Sequence, residues 1–228
     1  MNCLGWDCRR LGNPQSVNRL HNFMQHWDPK IVFLSETKLK KYGMERIKRK
    51  VENFDGLIVP SDGQSGGLAM LWKKELNLHI RGYSKNYIDA IITKSSSGFK
   101  WGIIGFYGHP ETHLRHKSWK LLADLNRHFS LPWLCFGDFN EIVSIEEKLG
   151  GVVRTQQYMD GFRDAINICG FKDLGYRGLD FTWCNNREGS NRIYMRLDRA
   201  LATRISVITF LKHESITYLT PRRTIVLF

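Results

Sequence analysis

Leu131-Pro132-Trp133-Leu134-Cys135-Phe136-Gly137-Asp138-Phe139-Asn140 opens with a proline-marked turn, runs through strand-like apolar residues, stops at a glycine and then presents two oxygen-bearing side chains. In an extended segment alternate side chains share a face, so Asp138 and Asn140 are expected to point the same way while Phe139 anchors the turn in the core. The stretch therefore predicts a buried strand that delivers a polar pair to its C-terminal end. A carboxylate and an amide held together suit a hard divalent cation and a phosphate, or the orientation of a water. The alternative is an ordinary polar loop, because Asp and Asn also favour turns.

On either side of this strand the spacing is helical. His113 to Phe129 places Trp119, Leu122, Leu125 and Phe129 on one face, and Tyr158 to Cys169 does the same with Met159, Phe162, Ile166 and Cys169, closed by Gly170. Upstream, Leu78 to Tyr83, Tyr87 to Lys94 and Phe99 to Tyr107 read as an antiparallel meander with Ser- and Gly-rich turns. Downstream lie strand-like pieces at Phe171 to Leu174, Asp180 to Cys184, and Arg192 to Ala202, then Ile216 to Leu219 and Ile225 to Phe228. The N-terminal part predicts a strand from Asn2 to Trp6 and a helix that starts at Asn13-Pro14 and ends at Asp28-Pro29. A fully buried strand follows at Ile31 to Leu34 and runs into Ser35-Glu36-Thr37-Lys38. Lys38 to Lys50 is read as an amphipathic helix with a basic face, either solvated or turned to phosphate. Gly63-Gln64-Ser65-Gly66-Gly67 lacks the Lys-Ser/Thr of a phosphate-binding loop and precedes a strand pattern at Leu68 to Trp72, so it is read as a turn.

Composition narrows the class. The 228 residues suit one domain spanning 1–228, and the 42% hydrophobic content with 7 Trp, 8 Tyr and 13 Phe excludes a disordered chain. A net charge of +12 favours a polyanionic partner, nucleic acid before a membrane surface. The five cysteines have no Cys-x-x-Cys pair, which points away from a disulfide framework or a zinc site and towards a reducing compartment. No basic segment followed by a long apolar run stands at the start, and no stretch is apolar enough to span a bilayer. The expectation is a soluble, non-secreted protein of nucleus or cytoplasm that makes no use of a membrane.

Polar groups recur where strands end: Asp7, Glu36, Tyr107, Asp138 with Asn140, Thr182 and Asp198. Such a series suggests one rim where the sheets open to solvent. A Mg²⁺ site needs only one or two protein carboxylates, so Glu36 and one more would suffice.

In order along the chain, Trp6-Asp7-Cys8-Arg9-Arg10-Leu11-Gly12, Leu34-Ser35-Glu36-Thr37-Lys38, Gly105-Phe106-Tyr107-Gly108, Gly137-Asp138-Phe139-Asn140 and Arg196-Leu197-Asp198-Arg199 resemble the endonuclease/exonuclease/phosphatase superfamily. Within it they look most like the apurinic-type endonuclease domain of plant LINE-type (non-LTR) retrotransposons. The resemblance implies an α/β (α+β) fold, a four-layer αββα sandwich of two mainly antiparallel sheets flanked by helices. It implies Mg²⁺-dependent cleavage of a phosphodiester bond in DNA, with Mn²⁺ as a substitute, by a monomer whose parent element also encodes a reverse transcriptase. By the same resemblance Glu36 and Asp7 hold the metal, Asp138 activates or orients the attacking water, and Asn140 fixes that water or the phosphate. Tyr107 donates to the phosphate, and Thr182 and Asp198 support the site.

The chain departs from the family pattern in three places. It has Asp7 where Asn is usual and Arg10 where Gly is usual, and the terminal Ser-Asp-His motif has no counterpart in Tyr218 to Phe228 or anywhere after His213. The C-terminal end is accordingly expected to be degenerate or truncated and turnover to be impaired. The readings carried forward are a DNA endonuclease, a non-catalytic nucleic-acid-binding remnant, and a small-molecule phosphoesterase.

Overall fold

The computed structural model describes residues 2–63, 65–128, 130–203, 216–219 and 224–227. The expectations at Gln64, Phe129, His213, 220–223 and Phe228 lie outside the described residues.

A seven-stranded sheet contains β1 (Cys3–Asp7), β2 (Ile31–Ser35), β3 (Phe54–Val59) and β4 (Leu68–Lys73). A six-stranded sheet begins with β5 (Leu78–Tyr83), β6 (Tyr87–Thr93), β7 (Lys100–Tyr107) and β8 (Trp133–Asp138). Short pieces follow: β9 (Lys148–Leu149), β10 (Phe171–Asp173), β11 (Arg177–Gly178), β12 (Trp183–Cys184) and β13 (Tyr194–Met195). The chain closes on β14 (Asp198–Thr203), β15 (Ile216–Leu219) and β16 (Thr224–Leu227). The large sheet runs β11-β15-β16-β1-β2-β4-β3, the second β10-β14-β8-β7-β6-β5, and β12-β13-β9 form a small third sheet. Pairing is antiparallel except for β1 with β2, β7 with β8 and β11 with β15.

Burial shows why the runs are continuous rather than alternating. Along β2, Ile31 and Phe33 enter the core between the two large sheets, while Val32 and Leu34 pack under α1 (Pro14–Trp27) and α2 (Lys41–Arg49). Along β8, Leu134 and Phe136 face the inter-sheet core, while Trp133 and Cys135 face α3 (Arg115–Arg127) and α4 (Gln156–Ile168). Each central strand is buried on both faces. The molecule is therefore the expected helix, sheet, sheet, helix sandwich.

Helix ends follow their local chemistry. Asn13 accepts the Ser16 N–H at 2.7 Å, Pro14 occupies the first turn, and Asp28 closes α1 in the left-handed region at φ 41°. Two elements differ from expectation. β3 has no counterpart in the sequence reading; it is an edge strand that takes its pairing from β4. Helix α2 begins three residues later than Lys38, which is itself left-handed at φ 54°. No helix among the described residues is long and apolar enough to cross a membrane.

Candidate active site

Strand parity builds the site. Asp7 shares the face of Cys3, Tyr107 that of Ile103, Asp138 that of Leu134 and Phe136, and Asp198 that of Ala200 and Ala202. All four side chains therefore face the inter-sheet space. Asp7, Tyr107 and Asp138 are the last residues of β1, β7 and β8, and Asp198 is the first residue of the antiparallel β14, directly opposite Asp138. Tyr107 and Asp138 are register partners across parallel strands. Four strands thus bring their polar ends to one rim.

Glu36 joins them by breaking the alternation. It follows β2 with φ 52°, a left-handed residue that turns the chain, and its Oε1 accepts the Tyr107 hydroxyl at 2.8 Å and the Gly66 N–H at 3.0 Å. Its Oε2 faces the Lys38 ammonium at 3.4 Å. The Gly66 contact gives the glycine-rich turn a role that its sequence did not reveal. Burial, and then the charges of Asp138, Glu36 and Asp7, push the Tyr107 phenol far above its ordinary range. Tyr107 is consequently a fixed neutral donor.

Asp138 and Asn140 do not share an extended face as the strand reading expected. The strand stops at Asp138, and Asn140 adopts φ 56° with its N–H on Asp138 Oδ1 at 2.8 Å. Its side-chain amide donates to the Gly108 carbonyl at 2.9 Å. The pair is therefore a tight Asx-type turn, and that turn locks the carboxylate at the rim. Gly137 is required here: its φ is 140°, and a Cβ would stand 2.1 Å from the Phe106 carbonyl oxygen.

Thr182 precedes β12 instead of ending a strand. Its hydroxyl accepts the Leu197 and Asp198 N–H groups at 3.0 and 3.1 Å, so it anchors the backbone that carries Asp198. Sequence reading missed Glu147 and Asp173. Together they grip Arg196 and the fully buried Arg199 on either side of Asp198. It also missed Glu141, which is clamped by Arg115 and Arg154 immediately after Asn140. No local sequence signal marks these acids, because their arginine partners lie 13 to 52 residues away along the chain.

The N-terminal loop lies against the Glu36 loop through Cys8 N to Ser35 O at 3.0 Å and Arg10 N to Glu36 O at 2.9 Å. Arg10 takes φ 118°, a conformation that suits glycine. Beside Asp7 opens a cleft of about 240 Å³ whose lining includes Arg9, Arg19, Thr182, Trp183 and Cys184.

The sequence profile of the Endonuclease/Exonuclease/phosphatase family matches residues 2–216. The chain belongs to this family. No curated protein sequence matches it. Solved structures of the same fold include the endonuclease domain of TRAS1, a telomere-specific non-LTR retrotransposon, at 12% identity and TM-score 0.73, covering 99% of this chain and 96% of that one. The 3'-5' exonuclease NExo from Neisseria meningitidis aligns at 14% identity and TM-score 0.75 over 100% and 99% of the two chains. The AP endonuclease LMAP from Leishmania major gives 13% identity and TM-score 0.78 over 99% and 86%. These likenesses establish the four-layer fold of this Endonuclease/Exonuclease/phosphatase family member.

Members of this family generally depend on a divalent metal. Among the described residues no three His, Cys, Asp or Glu side chains form a ready-made metal cluster. The donor set at the rim is all oxygen, and Glu36 already turns one carboxylate oxygen towards a cation, Lys38. Glu36 with Asp7 offers the oxygen donors that suit the modest protein share of a hard divalent cation's shell.

Proposed function

We propose that this chain is a metal-dependent phosphodiesterase acting on DNA, an endonuclease of the non-LTR retrotransposon type with reduced turnover, and that residues 1–228 form one such unit. The observation that carries the reading is the convergence of Asp7, Glu36, Tyr107 and Asp138 at one rim, all three carboxylates acting on the same phenol. The formal charge of +12 supports a polyanionic substrate.

Glu36 and Asp7 hold Mg²⁺, or Mn²⁺ in its place; when bound, the metal offsets charge on the phosphate. Asp138, fixed by the Asn140 N–H, orients the attacking water. Asn140 spends one amide proton on Gly108 and offers the other to water or phosphate. Tyr107 keeps its proton and holds Glu36 in place through its hydroxyl hydrogen bond, while Thr182 and Asp198 keep the opposite strand in register. Incubated with supercoiled plasmid and Mg²⁺, the protein is expected to nick slowly, with nicking lost in Glu36→Ala and on chelation. Plasmid left intact by the wild-type protein, or cut equally by Glu36→Ala, would sink the reading.

A second reading, a nucleic-acid-binding remnant without turnover, is favoured by two observations. Asp7 brings a carboxylate where a phosphate must approach, and Arg10 sits in a glycine conformation while hydrogen-bonded to the backbone of Glu36. If these two changes cause the loss, Asp7→Asn combined with Arg10→Gly raises nicking by about 10²-fold, the weight of one transition-state donor. No increase in the double variant removes this account.

A further inference from the structure

The small third sheet ends in a tip whose apolar side chains face water. Val152 is 89% exposed, Val153 76% and Leu149 57%, with Ile145 at the root 40% exposed. Scattered surface aliphatics are ordinary, but three exposed in one stretch of five residues mark a contact surface. The backbone beneath them is held firmly. Lys148–Leu149 pairs with Tyr194–Met195. At Gly150 and Gly151 an added Cβ would stand 2.3 Å from the Arg192 carbonyl oxygen and 2.6 Å from the Ile193 side chain. The tip therefore lies flat on the neighbouring hairpin and spends its valines on solvent.

Its two roots reach the candidate site. On one side Arg154, the residue after Val153, binds Glu141, which directly follows Asn140. On the other side β13 continues through Arg196 and Leu197 into Asp198. The half-buried Lys148 and the exposed Arg192 flank the apolar residues, and Glu147, the nearest acid to Lys148 in sequence, is neutralised by Arg196 and Arg199. Glu146 is the one exposed acid of the stretch from 145 to 154. Apolar residues between cations on a rigid mount match a duplex, whose phosphates take the cations and whose opened base step takes the aliphatics.

We infer that Leu149, Val152 and Val153 form an apolar wedge that enters a base step of the bound DNA duplex beside the scissile phosphate. This inference rests on the DNA-cleaving reading above and adds how the duplex is held and deformed. The wedge unstacks one step, and the bend that results brings the backbone down onto the rim.

The test uses short duplexes with 2-aminopurine at successive positions, titrated with the full chain in chelator so that no cleavage intervenes. Binding of the wild-type protein is expected to raise 2-aminopurine fluorescence at one step. Val152→Ser with Val153→Ser, at positions already in water, is expected to bind with the same salt dependence, to melt at the wild-type temperature and to lose that rise. Binding without any rise at any position, or a rise retained by the double variant, overturns the wedge and leaves the DNA-cleaving reading standing. Absence of DNA binding by the wild-type protein overturns both. A wild-type dimer that the double variant converts to monomer would assign the patch to a second copy of the chain and also overturn the wedge.

Discussion

Asp89 illustrates what a single buried charge does to this fold. It lies on β6, 2% exposed, with Oδ2 held by Arg81 Nε at 3.0 Å and Oδ1 without a hydrogen-bond partner among the described residues. Burial raises its pKa to about 6, and Arg81 offsets only part of that shift. The folded state therefore binds this proton more tightly than the unfolded chain does. Stability from this group is largest below the unfolded pKa near 4 and is lost as pH rises through about 6, a swing of up to about 3 kcal/mol. Urea unfolding between acidic and neutral pH should show that decline in the wild-type protein and a flatter profile in Asp89→Asn. Parallel profiles would contradict it. Nothing in Tyr87 to Lys94 announced the effect, because an acid in a strand pattern reads as a solvent-facing position until the layer of α3 covers that face, the one opposite Ile88, Ala90 and Ile92.

The strand β14 shows how an element is fixed by charges its own sequence does not contain. Arg199 is fully buried, donates to Glu147 and to Asp173, the latter at 2.7 Å, and lies 5.7 Å from the Phe162 ring centroid. Arg196 completes the ring on the same two acids. Removing one partner of such a network leaves buried carboxylates uncompensated, so Arg199→Leu is expected to cost about 3–5 kcal/mol. Denaturant titration would measure it, and a loss below about 1 kcal/mol, the scale of a surface pair, would show the ring to be dispensable. Arg196-Leu197-Asp198-Arg199 was legible as a motif that carries Asp198, but its partners lie 52 and 26 residues from Arg199. Helix ends were far more readable, because Asn13-Pro14 and Gly170 act within one turn of chain. The edge strand β3 went unread because its order comes from pairing with β4.

At the scale of the molecule, the two large sheets are in close contact beside the site. A Cβ on Gly105 would stand 2.1 Å from the Phe33 ring, and Phe33 in turn packs edge-on to Phe136 with centroids 5.9 Å apart. Gly105 lies two residues before Tyr107 and Phe33 three before Glu36, so the same contact sets the distance between the halves of the site. Gly105→Ala is expected to lower stability by about 1–3 kcal/mol through overpacking, read as a fall in melting temperature. It should also weaken the Tyr107 to Glu36 hydrogen bond and with it any metal-dependent nicking. Unchanged melting would mean that the sheets slide apart without cost.

The residues of the candidate rim, most of the strands and helices, and the order of the motifs could all be read along the chain. They depend on periodicity, caps and turn residues that act over a few positions. Which strand ends share one rim was decided only by the tertiary structure. An apolar run such as Trp133 to Phe136 is compatible with many neighbours, and its pairing with β7 and β14 depends on burying both faces at once. The left-handed turn at Glu36 is of the same kind. Its φ is sustained by Tyr107, Gly66 and Arg10, residues brought to it by the folded chain, and through that turn the carboxylate reaches the site.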